Sequence, residues 1–162
     1  MIPLVSGNDM INGFIYNHMA LREIDIKEIL PQREPILMVS RLVSYTDTTS
    51  VSELDIKADN FFLDGDGCLC AEGLTENIAQ TCAARIGYYH KYILGEDVKI
   101  GFIGAVKGLV YHSLPSSGQT ISTEVVTLQE VFNVTLVSAS VRDSEGNLLA
   151  EGTMKIALDS RQ

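Results

Sequence analysis

A single long helical period in an otherwise strand-like chain is the feature that most limits what this sequence can fold into. From residue 71 onward, Leu74, Ile78, Cys82, Ile86, Tyr89 and Ile93 recur at three- and four-residue steps, and Gly95 is placed to stop the helix. Ala79, Ala83, Ala84 and Gly87 form a small-residue face that would let this helix lie close to a sheet. Everything after Gly95 has β character, in four runs: "VKIGFIGAVKGLVYH", "QTISTEVVTLQEV", "FNVTLVSASVRDS" and "NLLAEGTMKIAL". "LPSSG" and "SEGN" mark turns between them. Ile121, Thr123, Val125 and Thr127 alternate with Ser122, Glu124 and Val126, the pattern of a half-buried antiparallel strand. Ahead of the helix, "IDIKEIL" reads as a short helix ended by Pro31, "PILMVSRLVSY" as a strand, "TDTT" as a turn and "SVSELDIKA" as the hairpin partner. "DNFFLDGDG" is a loop. One helix against a wide antiparallel sheet is an α+β layer architecture. Uncovered strand edges and apolar strand faces then predict a dimer.

Composition removes several functions. A net charge of −9 argues against nucleic acid, because neutralising phosphates needs a basic face, and it disfavours anionic membrane surfaces equally. No stretch approaches the ~20 apolar residues of a membrane span, and the N-terminus lacks the basic and apolar regions of a signal peptide. The three cysteines, Cys68, Cys70 and Cys82, are an odd number, which fits reduced thiols and a cytoplasmic location. Cys68 and Cys70 form a C-x-C without further ligands at metal-binding spacing, so neither a metal nor another cofactor is expected. Residues 1–22 read as an N-terminal extension and 23–162 as a single domain.

The order "IDIKEILPQREPILMVSRLVSY", "NFF", "TENIAQ", "FIGAVKGLVYHSLPSSGQTI" resembles the β-hydroxyacyl-acyl-carrier-protein dehydratases over roughly Ile24 to Leu158, as a divergent branch. The resemblance implies a hot-dog fold, in which an antiparallel sheet of about five to six strands wraps a long central helix. It implies a homodimer or an oligomer of dimers acting on acyl thioesters of acyl carrier protein or coenzyme A, in fatty-acid or related lipid or polyketide metabolism. In that family a loop histidine and a carboxylate on the central helix meet across the dimer interface. The carboxylate carries over to Glu76 in "ENIAQ". Gly73, Leu74, Gln80, Phe102 and Gly104 are the substrate-lining residues that accompany it. The histidine does not carry over: its place falls in "DGDG", near Gly65, and the family's Leu-Pro-His-Arg reads "LPQR", with Gln32. The chain's three histidines, His18, His90 and His112, lie elsewhere.

Three activities therefore stay open. Dehydration of a 3-hydroxyacyl thioester needs a base for the C2 proton, an acid for the departing hydroxyl, and donors to the thioester oxygen. Glu76 could serve one of these roles, with Asp64, Asp66 or a histidine from another subunit serving a second. A thioesterase would need Glu76 to activate water and the amides around Gly73 and Leu74 to polarise the carbonyl. A non-catalytic acyl-binding subunit would need neither. A plain structural role for Glu76, paired one turn away with Gln80 at a helix N-terminus, stands beside all three.

Overall fold

In a computed structural model the described residues are 10–11, 14–15 and 18–158, with side chains described from 21 onward except at 102. A two-stranded ladder, β1 (Met10–Ile11) and β2 (Phe14–Ile15), precedes a short helix, α1 (His18–Glu23). Strands β3 (Arg41–Tyr45) and β4 (Thr49–Asp55) form the expected hairpin, followed by the long helix α2 (Ala71–Tyr88). Strands β5 (Gly101–Tyr111), β6 (Thr120–Val131), β7 (Val134–Arg142) and β8 (Leu148–Leu158) match the four β runs after Gly95. All six long strands join one antiparallel sheet in the order β3-β4-β6-β7-β8-β5. This is the hot-dog arrangement.

The burial of β6 follows its alternation, with Ile121, Thr123 and Val125 inward and fully buried. Ile121 and Val125 meet Leu74, Ile78 and Cys82 of α2 in the main core, together with Val137, Met154 and Ile156 of β7 and β8. Complete burial of side chains such as Leu74 and Ile78 is worth roughly 1.5–3 kcal/mol each. A second cluster covers another flank of the helix, where Ile26, Ile29, Leu30, Val39 and Leu42 pack on Ala84 and Tyr88.

That second cluster corrects the reading of the small-residue face. Gly87 lies against residues 26–39 and not against the sheet: a Cβ there would sit 2.0 Å from the Ile29 carbonyl oxygen. Two other elements differ from expectation. "IDIKEIL" supplies only a 3-10 turn, Ile26–Glu28, whose Asp25 cap accepts the Lys27 N–H. Strand β3 begins at Arg41, six residues later than expected, because the main chain at Ile36 and Met38 bonds to side chains of α2 and to no neighbouring strand. At its far end α2 continues into a π turn, Tyr89–Leu94, and stops at Gly95, whose φ of 67° is readily adopted by glycine. No described helix is long and apolar enough to cross a membrane.

Candidate functional site

Glu76 sits in the second turn of α2 on a half-buried face, and what positions it is Gln80. The Gln80 side chain is buried and fully used. Its Oε1 accepts the Met38 N–H at 2.7 Å, and its Nε2 donates to the Ile36 carbonyl and to Glu76 Oε1, each at 2.7 Å. Asn77 adds a second tie, donating from Nδ2 to the Met38 carbonyl at 2.8 Å and accepting from Thr123 Oγ1 at 2.6 Å. Thr81 Oγ1 donates to the Asn77 carbonyl, so the Ser52 hydroxyl 2.7 Å away is left to donate to Thr81. Buried polar groups are tolerated only when bonded, and this ladder bonds each of its members. The ladder fixes α2 to β4, β6 and residues 36–38 at once. One oxygen of Glu76 is thereby held, while Oε2 makes no bond among the described residues.

The residues expected to accompany Glu76 divide. Gly73 and Leu74 are buried, and both their amides are bonded to the Cys70 carbonyl, at 3.0 and 3.3 Å. A Cβ on Gly73 would fall 2.7 Å from the Phe62 Cβ, so glycine there admits Phe62 and the Leu69 side chain. These amides are not free to polarise a thioester carbonyl; the geometry gives the pair a packing role. Gly104 lies on β5 at a register shift, exposed, with ordinary space for a Cβ. The Phe102 side chain lies outside the described residues, as does that of His18.

No described histidine joins Glu76. His90 is at the opposite end of α2, its Nδ1 3.1 Å from Glu96 Oε2, and His112 is half-exposed just after β5, 3.9 Å from Glu151. The "DGDG" loop is a turn: Asp64 Oδ1 accepts the amides of Asp66 and Cys68, both at 2.9 Å, and Gly65 is exposed. The loop residue brought against the first turn of α2 is instead Phe62, an apolar ring packed on the main core. Glu72 belongs to the helix start, where its own backbone N–H and Cys70 hold its carboxyl below the usual carboxylate range. Arg85 is bound to the Thr46 and Asp47 carbonyls and the Ser50 hydroxyl, and Lys91 to Glu28, so neither stands as a free carrier-binding cation. Among the described residues no group of His, Cys, Asp or Glu is arranged to hold a metal ion.

Strand β5 is a sheet edge with a run of exposed apolar side chains: Ile103, Val106 and Val110 are each more than 40% exposed, and Tyr111 and Leu114 follow. The Tyr111 hydroxyl reaches Thr75 Oγ1, one residue from Glu76. Thr75 spends its own proton on the Ala71 carbonyl, so Tyr111 is the donor. The carboxylate therefore lies on a helix whose neighbouring turn is tied to an unpaired, apolar sheet edge. Sequence patterning predicts that strand edges need cover without naming which, and it carries no signal for the Gln80 and Asn77 ties, which depend on residues 39 to 46 positions away.

The model of the ApeP-like family, described as ApeP dehydratase, matches residues 24–159. The chain belongs to the ApeP-like dehydratase family. A comparison with curated proteins finds no match. Among solved structures, this ApeP-like chain is similar to the dehydratase heterocomplex ApeI:P from Xenorhabdus doucetiae, with a TM-score of 0.78 at 15% identity, over 85% of this chain and 93% of that one. It is also similar to the E. coli PaaI protein of the phenylacetic acid degradation operon, with a TM-score of 0.58 at 10% identity over 72% and 80% of the two chains. A hypothetical thioesterase with coenzyme A from Streptococcus pneumoniae gives 0.59 at 10% identity over 72% and 83%. At these identities the likeness establishes the hot-dog fold shared by dehydratases and thioesterases.

Proposed function

We propose that this chain is one subunit of a dehydratase acting on 3-hydroxyacyl thioesters of acyl carrier protein or coenzyme A, and that it contributes Glu76 to a site completed by a different hot-dog subunit bearing the histidine. The observation that carries this reading is the state of Glu76, clamped at Oε1 by a buried glutamine and open at Oε2. A clamped carboxylate with one free oxygen is oriented for proton transfer and needs a second group within reach to complete a dehydration. The loop side chains packed on Gly73 in the first turn of α2 are Phe62 and Leu69, neither of which can transfer a proton. Within the chain neither described histidine stands beside Glu76: His90 pairs with Glu96 and His112 lies nearest Glu151. A histidine-bearing relative would supply what is missing, and the ApeI:P dehydratase is named as a heterocomplex. The exposed apolar β5 edge is the surface such a partner would extend as a continuous sheet. Structures of the same fold bound to coenzyme A and acetyl coenzyme A support a thioester as substrate. The Gly73 and Leu74 amides are engaged by Cys70, so hydrolysis through those two amides is not supported, and the donors to the thioester oxygen in dehydration come from elsewhere in the assembled site.

The test is reconstitution. The chain alone, a histidine-bearing hot-dog subunit alone, and the two together are incubated with a 3-hydroxyacyl thioester, and enoyl product and free thiol are both measured. The expected result is enoyl product from the mixture, reduced about 10²–10⁴-fold by Glu76→Gln, the usual contribution of a positioned acid or base. A mixture whose rate ignores Glu76→Gln would overturn the assignment, and thiol release from the chain alone would replace it with hydrolysis.

A further inference from the structure

Behind α2, on the side turned to the sheet, lies a cavity of about 320 Å³ that the Glu76 reading does not use. Its inner wall is apolar, made by Cys82 and Ile86 of the helix and Val137 and Ile156 of the sheet. Burial pushes the Cys82 thiol up to about 12, so this wall stays uncharged at neutral pH. The helix rises 1.5 Å per residue, which sets Cys82 and Ile86 roughly 9–15 Å further along the axis than Glu76. The volume lies at the small end of the roughly 300–1,000 Å³ of ligand pockets.

The polar groups at the mouth define the ligand's chemistry. His90 is 6% exposed and lines the cavity. Gly95 turns the chain back so that the Glu96 N–H meets the His90 carbonyl, and Glu96 Oε2 lies 3.1 Å from His90 Nδ1. A carboxylate only accepts, so Nδ1 carries the proton, and the tautomer that fits this contact presents Nε2 as an acceptor. No bond to Nε2 is made among the described residues. Arg85 also lines the mouth, but its guanidinium is tied to Thr46, Asp47 and Ser50 and stacks over Tyr45 at 4.8 Å. The carboxylates of Asp47 and Glu130 stand on the same rim, and Glu96 lies behind His90. Acidic residues at this mouth disfavour an anionic head group.

The geometry points to a second binding site, for a neutral, largely apolar ligand that carries a hydroxyl donating to His90 Nε2. An aryl or alkyl alcohol has this chemistry; the corresponding carboxylate does not. The site is separate from the Glu76 face and does not rest on the dehydratase reading.

Calorimetric titration of the full chain with 2-naphthol and with 2-naphthoate tests it, since the two share one apolar body and differ in the head group. The expected result is one equivalent of 2-naphthol bound at least tenfold more tightly than 2-naphthoate. Thr135→Trp, at the half-buried rim, should abolish that binding. His90→Phe should weaken it about tenfold, and Glu76→Gln should leave it unchanged. Equal affinity for the two compounds would overturn the site, as would absence of 2-naphthol binding at millimolar concentration. Affinity that survives both Thr135→Trp and His90→Phe would do the same, because it would place the ligand elsewhere.

Discussion

Replacing Gln80 with leucine should cost about 3 kcal/mol of stability, and the figure follows from where its three bonds go. Met38 is wholly buried, so its N–H has no water to turn to when Gln80 Oε1 is removed. An orphaned buried donor costs about 1–3 kcal/mol, and this one belongs near the upper end. Ile36 is 45% exposed, so its carbonyl recovers part of its hydrogen bonding from solvent and adds about 1 kcal/mol. The bond to half-buried Glu76 adds less again, and the leucine regains a fraction through its apolar surface. Against a total of about 5–15 kcal/mol for a domain, the loss is large without abolishing folding.

Urea unfolding followed by far-ultraviolet circular dichroism should show a lower midpoint at unchanged m. The melting temperature should fall by roughly 6–12 °C, taking about 2–4 °C per kcal/mol at this chain length. Glu76→Gln is the control, because it keeps an acceptor for Gln80 Nε2 and should cost under about 0.5 kcal/mol, as surface changes usually do. A loss below about 1 kcal/mol for Gln80→Leu, or one no larger than the control, would refute the view that Gln80 anchors residues 36–38.

Three further outcomes follow from the same contacts. Gly87→Ala should destabilise by at least about 3 kcal/mol or prevent folding, since its Cβ would meet the Ile29 main chain, which has no flexible end to yield; thermal melting measures it. Arg41 and Arg22 hold the carboxyls of Glu53 and Asp55 below their ordinary 4.5 and 3.8, Arg41 bonding both and Arg22 bonding Glu53. Their contribution is present above about pH 4.5 and is lost as pH falls through the depressed folded values, so Arg41→Gln should flatten the acid limb of stability against pH. Burial raises the Cys82 thiol from 9.0 to about 12, so the unfolded chain ionises first; stability should decline as pH rises from about 9 toward 12, and native Cys82 should resist alkylation until the protein unfolds.

Local signals made the fold legible. The helical period of α2 and the alternation of β6 each report burial on one face, and the structure buries Leu74, Ile78, Cys82, Ile121 and Val125 while Tyr89, in the π turn, stays exposed. Residues 35–40 read as strand because Ile36 and Val39 are β-formers in an apolar run, but the main chain there is claimed by Gln80 and Asn77, partners no local window contains. The small face of α2 reads as an approach to a sheet, whereas at Gly87 its neighbour is the Ile29 carbonyl, which no local window contains. Glu76 was found through family resemblance. Its physical setting was hidden, because Asn77, Gln80 and Thr81 look like surface polar residues and are buried only through distant bonds.

That setting separates what the fold requires at position 76 from what it does not. Gln80 Nε2 has two protons; Ile36 takes one, and the other needs an acceptor at position 76. A glutamine oxygen would accept it equally well, so packing and hydrogen bonding explain an acceptor there but not a negative charge. The helix macrodipole offers the charge little, since its effect fades within the first turn and Glu76 lies beyond it. No ion pair to Glu76 forms among the described residues, and its neighbours include an exposed Ile36 and the helix turn tied to the apolar β5 edge. A charge that the fold does not use, held by one oxygen at an uncovered apolar face, is what a proton-transfer role requires. The expected signature is therefore a dissociation of effects: Glu76→Gln should preserve stability while removing turnover in the reconstituted pair, whereas Gln80→Leu should lower both. If Glu76→Gln instead lost stability in proportion to activity, the charge would be serving the fold, and the catalytic reading of this carboxylate would fail.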